Sequence, residues 1–367
     1  MSATKIEWTD ATWNPIAGCS VISPGCTNCY AMRMAARIEA MGSAPHYNGL
    51  TMKTKAGAVW TGKIAVAPES ILLQPLRWKK PRRIFVNSMS DLFHENVPDT
   101  AIDEVFRVMA TAERHTFQVL TKRSARMRDY MSRAAWLTRY GRQDWMGPRP
   151  LPLPNVWLGV STEDQSRANE RIPDLLATPA AVRFISAEPL LGPLDVRRIS
   201  IGNGIEIDAL TGYHSFSLLN AIGLGERPRA STIARIPILP APTGRLNWII
   251  AGGESGPHAR PMHPDWIRSL CAQCLAVGVP FFFKQWGEWL IADTDSTMDF
   301  RFGDGEPFPI VSDGHDMIMS EAQGHRGAPV RIWRDYWATG GGHLAKRPGK
   351  KSAGAVLDGR EWRAFPQ

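Results

Sequence analysis

Short apolar runs and amphipathic stretches take turns along most of this chain of 367 residues. The runs at 83–88, 117–121, 156–160, 182–186, 247–252 and 279–284 are rich in Val, Ile and Phe and bounded by polar or turn residues. Each reads as a short buried strand. Between them the apolar spacing changes to the helical period. Val97-Pro98-Asp99 opens a helix whose Ile102, Val105, Phe106 and Met109 share one face, and Ser124 is placed to cap the next. Further helices are expected through Arg171 to Leu176 and over 264–277, with a helical stretch at 68–78. Residues 42–67 are a polar, Gly-containing excursion without a clear period.

Strand and helix alternate at intervals of roughly 30 residues, the spacing of βα units around a parallel sheet. The expected fold class is α/β, a complete or partial (βα) barrel over residues 1–290. Residues 192–246 break the rhythm and read as an insertion or lid between two strands. Residues 291–367 form a C-terminal extension, basic and partly flexible towards its end, although 357–362 has the composition to dock back.

Composition adds bounds. With 44% apolar residues the chain can bury a substantial core. The N-terminus has no apolar signal core and no run reaches the length of a membrane span, so a cytoplasmic protein with no membrane partner is expected. The net charge of +8 favours an anionic partner such as nucleic acid. Its densest runs, Lys79-Lys80-Pro81-Arg82-Arg83 and 346–351, have a solvated basic surface as their alternative.

The chemistry concentrates at Cys19-Ser-Val-Ile-Ser-Pro-Gly-Cys26-Thr-Asn-Cys29, which holds three of the five cysteines. Gly18 and Ser23-Pro24-Gly25 are turn signals, a strand is expected over 13–18 before the loop, and 30–41 are good helix formers. Three soft thiolates on one loop can hold an iron–sulfur cluster and leave one iron open to another ligand. Two alternatives stand beside that reading. One is a structural zinc site completed by His46 or His94; the other is a disulfide with one free thiol. Cys271 and Cys274 share the helical stripe of Ile267, Leu270 and Leu275, so they read as core.

Nearly every expected strand ends in a charged or hydroxyl residue: Ser88, Ser90 and Asp91, then Lys122, Ser161, Glu188, Glu254 and Lys284. Each alone is an ordinary helix cap or turn residue. Their succession at the mouth of one barrel is the pattern of an active site.

The order of strand, three-cysteine loop, helix and further βα units resembles the radical S-adenosylmethionine (SAM) superfamily. Within it, the C-x6-C-x2-C spacing is similar to the phage and bacterial three-cysteine-motif proteins. Trp8 to Cys19, Glu188-Pro-Leu-Leu-Gly-Pro193 and Gly252-Gly-Glu-Ser255 carry that likeness. Asn87-Ser-Met-Ser-Asp-Leu92 and Val119-Leu-Thr-Lys122 are similar to segments of spore photoproduct lyase and its relatives. Three features depart from the superfamily pattern, which has C-x3-C-x2-C with an aromatic residue before the last cysteine. Here the first gap is three residues longer, Asn28 holds the aromatic place, and Ser88-Met-Ser-Asp91 stands where a Gly-Gly-Glu is usual.

The resemblance implies a 4Fe-4S cluster on Cys19, Cys26 and Cys29, with SAM on its open iron. Ser88, Ser90, Asp91, Lys122 and Ser161 would bind SAM, and Glu188, Glu254 and Lys284 would orient substrate or move protons. It further implies reductive SAM cleavage, an electron donor of flavodoxin or ferredoxin type, and a substrate in which nucleic acid or nucleotide is one candidate. The alternative is a zinc- or cluster-stabilised nucleic-acid-binding protein without catalysis.

Overall fold

The computed structural model describes residues 4, 6–55, 57–133, 152–216, 244–293, 329–334, 342–346 and 349–366. Seven strands form the main sheet: β1 (Ala11–Trp13), β2 (Arg83–Val86), β3 (Thr116–Thr121), β4 (Val156–Ser161), β5 (Val182–Ala187), β6 (Trp248–Ala251) and β7 (Phe281–Phe283). They lie side by side in chain order and every adjacent pair is parallel. β1 and β7 do not pair, so the sheet curls into a half-barrel and stays open on one side.

Chain order with crossovers of one hand sends the connecting helices to a single face. These are α2 (Asp99–Thr111), α3 (Ser124–Ser132), α4 (Gln165–Ala177) and α5 (Pro264–Leu275), with α1 (Tyr30–Ala40) ahead of them. The outer residues of the strands, such as Ile84, Val119, Leu158, Ile185 and Phe283, share one core with Ile102, Phe106, Ile172, Leu175 and Ile267 of the helices. Cys271 and Cys274 lie in that core, as their helical stripe requires.

The alternate strand residues face inward. Phe85, Leu120, Trp157, Phe184, Trp248, Ile250 and Phe282 form a second cluster, joined by Trp8 and Phe365 from the two ends of the chain. Phe365 stacks 5.2 Å from Trp248, whose indole N–H donates to the Ala364 carbonyl. The final segment therefore plugs the half-barrel at the N-terminal ends of its strands. Arg363 also bridges to Phe282 on the edge strand β7, which protects an otherwise open edge. The expected docking of 357–362 is present, and this part of 291–367 packs as part of the barrel.

Several local expectations change. β1 stops at Trp13, because Pro15 has no N–H for a ladder, and Ile16–Ala17 pairs instead with Ala65–Val66. The excursion at 42–67 contains a hairpin, Thr51–Thr54 with Gly57–Trp60, which packs against α1. Ser124 is not a cap: it lies inside α3 and donates to Asp174. The described part of the insertion is an antiparallel sheet of Ile199–Gly202, Ile205–Asp208 and Tyr213–Phe216. The Gln165 amide donates to the Asp195 carbonyl, while Asn169 and Gln273 accept from the Ser200 and Val196 N–H groups, which holds this unit against α4 and α5. The lid expectation for 217–243 lies outside the described residues. Among the described residues no helix is long and apolar enough to cross a membrane.

Gly159 shows how tight the interior is. It pairs with Phe184 in register, and a Cβ there would stand 2.6 Å from that ring. Gly159→Ala is expected to cost about 1–3 kcal/mol of unfolding free energy through overpacking. Adding Phe184→Leu should recover part of that loss, as urea unfolding of both variants will show.

Candidate active site at the strand C-termini

Side-chain alternation carries the inward face past the end of each strand. Lys122 follows Leu120, Ser161 and Glu163 follow Gly159, Glu188 follows Ser186, and Lys284 follows Phe282. All eleven site residues expected from sequence line one cavity of about 250 Å³ above an apolar floor of Ile6, Trp8, Phe85 and Leu120. They are Cys19, Cys26, Cys29, Ser88, Ser90, Asp91, Lys122, Ser161, Glu188, Glu254 and Lys284.

The cysteine loop is fixed residue by residue. Gly18 adopts φ +93°, and a Cβ on it would meet the Lys63 carbonyl at 2.1 Å, so only glycine brings Cys19 to this position. A short 3-10 turn, Pro24–Cys26, aims the Gly25 N–H at Glu163 Oε1, 3.2 Å away. Arg260 donates to the Pro24 carbonyl. Asn28 donates to Glu254 Oε2 and to the His258 carbonyl. Asn28 thus ties the loop to the end of β6.

Two carboxylates expected to meet ligand are held by the protein itself. Asp91 accepts from the Thr121 hydroxyl, the Lys122 and Phe93 N–H groups and the Arg123 guanidinium. Glu254 accepts a two-point contact from Arg260, at 2.7 and 2.9 Å, besides Asn28. Both organise the mouth. The Ser88 hydroxyl bonds Asn14 and that of Ser90 bonds the Ile16 carbonyl. Lys122 pairs with Glu163 at 3.3 Å, and Lys284 pairs with Glu188 at 2.9 Å across the cavity wall. Gly252 and Gly253 bring β6 against the end of β7; a Cβ on Gly253 would stand 2.0 Å from the Trp286 carbonyl. Asn87 and Gln285 also line the cavity, and each keeps one polar atom, Nδ2 and Oε1, without a partner among the described residues.

Glu163, Arg171 and Arg123 carry more of this site than their sequence context indicated. Glu163 is fully buried and accepts from Gly25, from Lys122 and from the equally buried Arg171 at 3.0 Å. Burial opposes its ionisation, but Lys122 and Arg171 outweigh that and hold its carboxyl at about 2. Arg123 is anchored by Asp91, Glu95 and the Ser20 hydroxyl, and a guanidinium nitrogen lies 3.6 Å from Cys19 Sγ. A charged residue two or three places beyond an apolar strand was the available signal for Glu163 and Arg123. Arg171, mid-helix on α4, had none.

None of the five cysteines is in a disulfide. Burial raises the thiol of Cys19 to about 12 and pushes that of Cys29 up as well. Such thiols are protonated at neutral pH unless a metal displaces the proton. Among the described residues no three His, Cys, Asp or Glu side chains converge on a single ion. A cluster needs no such convergence, because each thiolate bonds a different iron. A zinc site needs four ligands on one ion, and His94 is committed: its Nε2 meets Ser20 Oγ and its Nδ1 accepts from Asn96 N–H.

Fold and site together define a parallel α/β half-barrel with a three-cysteine loop over the mouth. The chain belongs to the family described as "Protein of unknown function (DUF5131)", whose model matches residues 3–366. Neither curated proteins nor solved structures provide a match.

Glu163→Gln removes the charge that balances buried Arg171, and is expected to destabilise by about 3–5 kcal/mol. A carboxyl held down near 2 contributes stability above its unfolded-state pKa and loses it as pH falls towards 2. Wild-type stability should therefore fall more steeply between pH 5 and about 2 than that of the variant, in denaturant titrations at each pH.

Proposed function

We propose that this chain is a radical SAM-type enzyme whose Cys19, Cys26 and Cys29 ligate three irons of a 4Fe-4S cluster. One observation carries the reading: three cysteines on the loop after the first strand of a parallel half-barrel line the cavity that the charged strand ends also line. The likeness to the three-cysteine-motif proteins and to spore photoproduct lyase supports it from the sequence side. Bound there, such a cluster with its open iron would supply SAM chelation and the electron that cleaves the SAM C–S bond.

The protein's own part is positioning and exclusion of water. Glu163, Arg260 and Asn28 hold the thiol loop at the mouth. Trp8, Phe85 and Leu120 offer an apolar floor on which a planar group can pack. Asp91 and Glu254 are occupied by protein donors, so we assign polar recognition to Glu188, Lys284 and Ser161, with Lys122 held ready by Glu163. Glu188 and Lys284 can each turn to a ligand group of opposite charge by opening their mutual pair. Of the two candidate substrate classes, this mouth favours a nucleotide-sized molecule over a nucleic acid polymer. Lys122, Arg123, Arg260 and Lys284 are all matched by carboxylates, and the basic run at 79–83 enters β2 at the opposite end of the barrel.

Anaerobic reconstitution with iron and sulfide is expected to give a chromophore that dithionite bleaches, and reduced protein should convert SAM to 5′-deoxyadenosine and methionine. Cys26→Ala should lose most of the iron and all of the cleavage. The pair Cys271→Ala with Cys274→Ala should keep both, at a cost of about 1–2 kcal/mol in stability. Iron and sulfide analysis of the two proteins decides the assignment. Equal loss of iron from both would place 271 and 274 in the metal site, and a colourless protein binding zinc stoichiometrically would retire the reading.

A further inference from the structure

Asn87, just past β2, and Gln285, just past β7, both line the cavity and are 2% and 4% exposed. Asn87 is held from several sides. Its backbone adopts φ +60°, its N–H donates to the Trp13 carbonyl, and its Oδ1 accepts from the Ile16 N–H at 3.3 Å. That last contact fixes which way the amide points, and its nitrogen, Nδ2, is left without a partner among the described residues. Gln285 is placed by its own carbonyl, which accepts from the Gly253 N–H, while its Oε1 has no partner among the described residues. A buried polar atom left unpaired is costly, and native proteins keep few of them. A fixed donor and an acceptor in the wall of one cavity complement a ligand that carries both.

The surroundings narrow the chemistry. Lys122, Arg123, Arg260 and Lys284 are matched by carboxylates, so an anionic group gains little from them. The floor of Trp8, Phe85 and Leu120 suits a flat apolar face. An uncharged, planar group fringed with donors and acceptors is a nucleobase. Gln285 also stands beside the Glu188–Lys284 pair. A Cβ on Gly252 would meet the Gln285 carbonyl at 3.1 Å, Glu188 Oε1 at 3.2 Å and Lys284 Cβ at 3.4 Å. Neither amide belongs to the set through which the resemblance binds SAM, namely Ser88, Ser90, Asp91, Lys122 and Ser161. Both are left for a second molecule.

We infer that Asn87 and Gln285 are specificity-determining residues that read the base of a nucleoside substrate. Asn87 donates to a ring acceptor of the base, and Gln285 accepts from one of its N–H groups. This names the substrate class of the site proposed above and rests on that reading.

Calorimetric titration of the metal-free protein with cytidine, uridine, guanosine, adenosine and ribose 5-phosphate is the test. One of the first three should bind at least tenfold more tightly than adenosine or ribose 5-phosphate. Asn87→Asp keeps an oxygen for Ile16 and a residue type that tolerates the left-handed backbone, but loses the N–H donor. Gln285→Met keeps the chain length and loses the acceptor. Each should weaken the preferred nucleoside at least tenfold, about 1.4 kcal/mol. Without nucleoside, Gln285→Met should unfold in urea at the wild-type midpoint or above, because it deletes an unpaired buried acceptor; a purely structural role would lower the midpoint. Preference for adenosine alone would give the amides to the adenosyl group of SAM and overturn the inference. So would wild-type binding by both variants, the result if the amides bond trapped water only. Iron uptake and SAM cleavage by a protein that binds no nucleoside would overturn this inference and leave the cluster reading standing. Nucleoside binding that both substitutions weaken, in protein that takes up no iron, would do the reverse.

Discussion

The arrangement of the mouth depends on one buried carboxylate. Glu163 leaves β4 on the inward side, and water does not reach it. A lone charge in that place would be prohibitive, so its partners are obligatory: Arg171 from α4, Lys122 from the end of β3, and the Gly25 N–H of the cysteine loop. Arg171 also donates to the Ser161 carbonyl, which locks helix to strand beneath the site. Loop, two strand ends and a helix are therefore fixed by one group. If the loop moves, the buried carboxylate loses its Gly25 N–H donor.

The same logic runs around the rim. Arg123 is divided between Asp91, Glu95, Ser20 and the sulfur of Cys19, while Arg260 joins Glu254 to the Pro24 carbonyl. These pairs neutralise the wall of the cavity and leave the thiols as its distinctive chemical feature. In the proposed cluster, hydrogen bonds to the sulfurs would help to set the reduction potential, and the Arg123 guanidinium, 3.6 Å from Cys19 Sγ, is within reach for that. The opposite end of the half-barrel is closed by Trp8, Trp248 and Phe365, so one end packs and the other holds the cavity. Division of that kind is general among parallel α/β barrels.

Much of this was legible in the chain. The six later strands follow from their apolar runs, because a parallel sheet buried on both faces needs continuous Val, Ile and Phe. The site residues follow from their place just past those runs. Four things were not legible. Pro15 breaks the first strand early, yet Trp13 and Ile16 on either side of it are equally apolar and hid the break. The roles of Asp91 and Glu254 depended on which donors reach them, and Arg260 lies six residues from Glu254 in a loop without period. Arg171 looked like a surface helix residue, since pairing across layers leaves no mark on local sequence. The closing of the barrel floor by Phe365 was equally hidden, because long-range docking has no local signature.

Electron paramagnetic resonance of the anaerobically reduced, iron-loaded protein, with and without SAM, tests the central claim most directly. The account predicts a cluster signal in the wild type that shifts when SAM is added, because one iron is left open by the three-cysteine loop. A signal unchanged by SAM would contradict it.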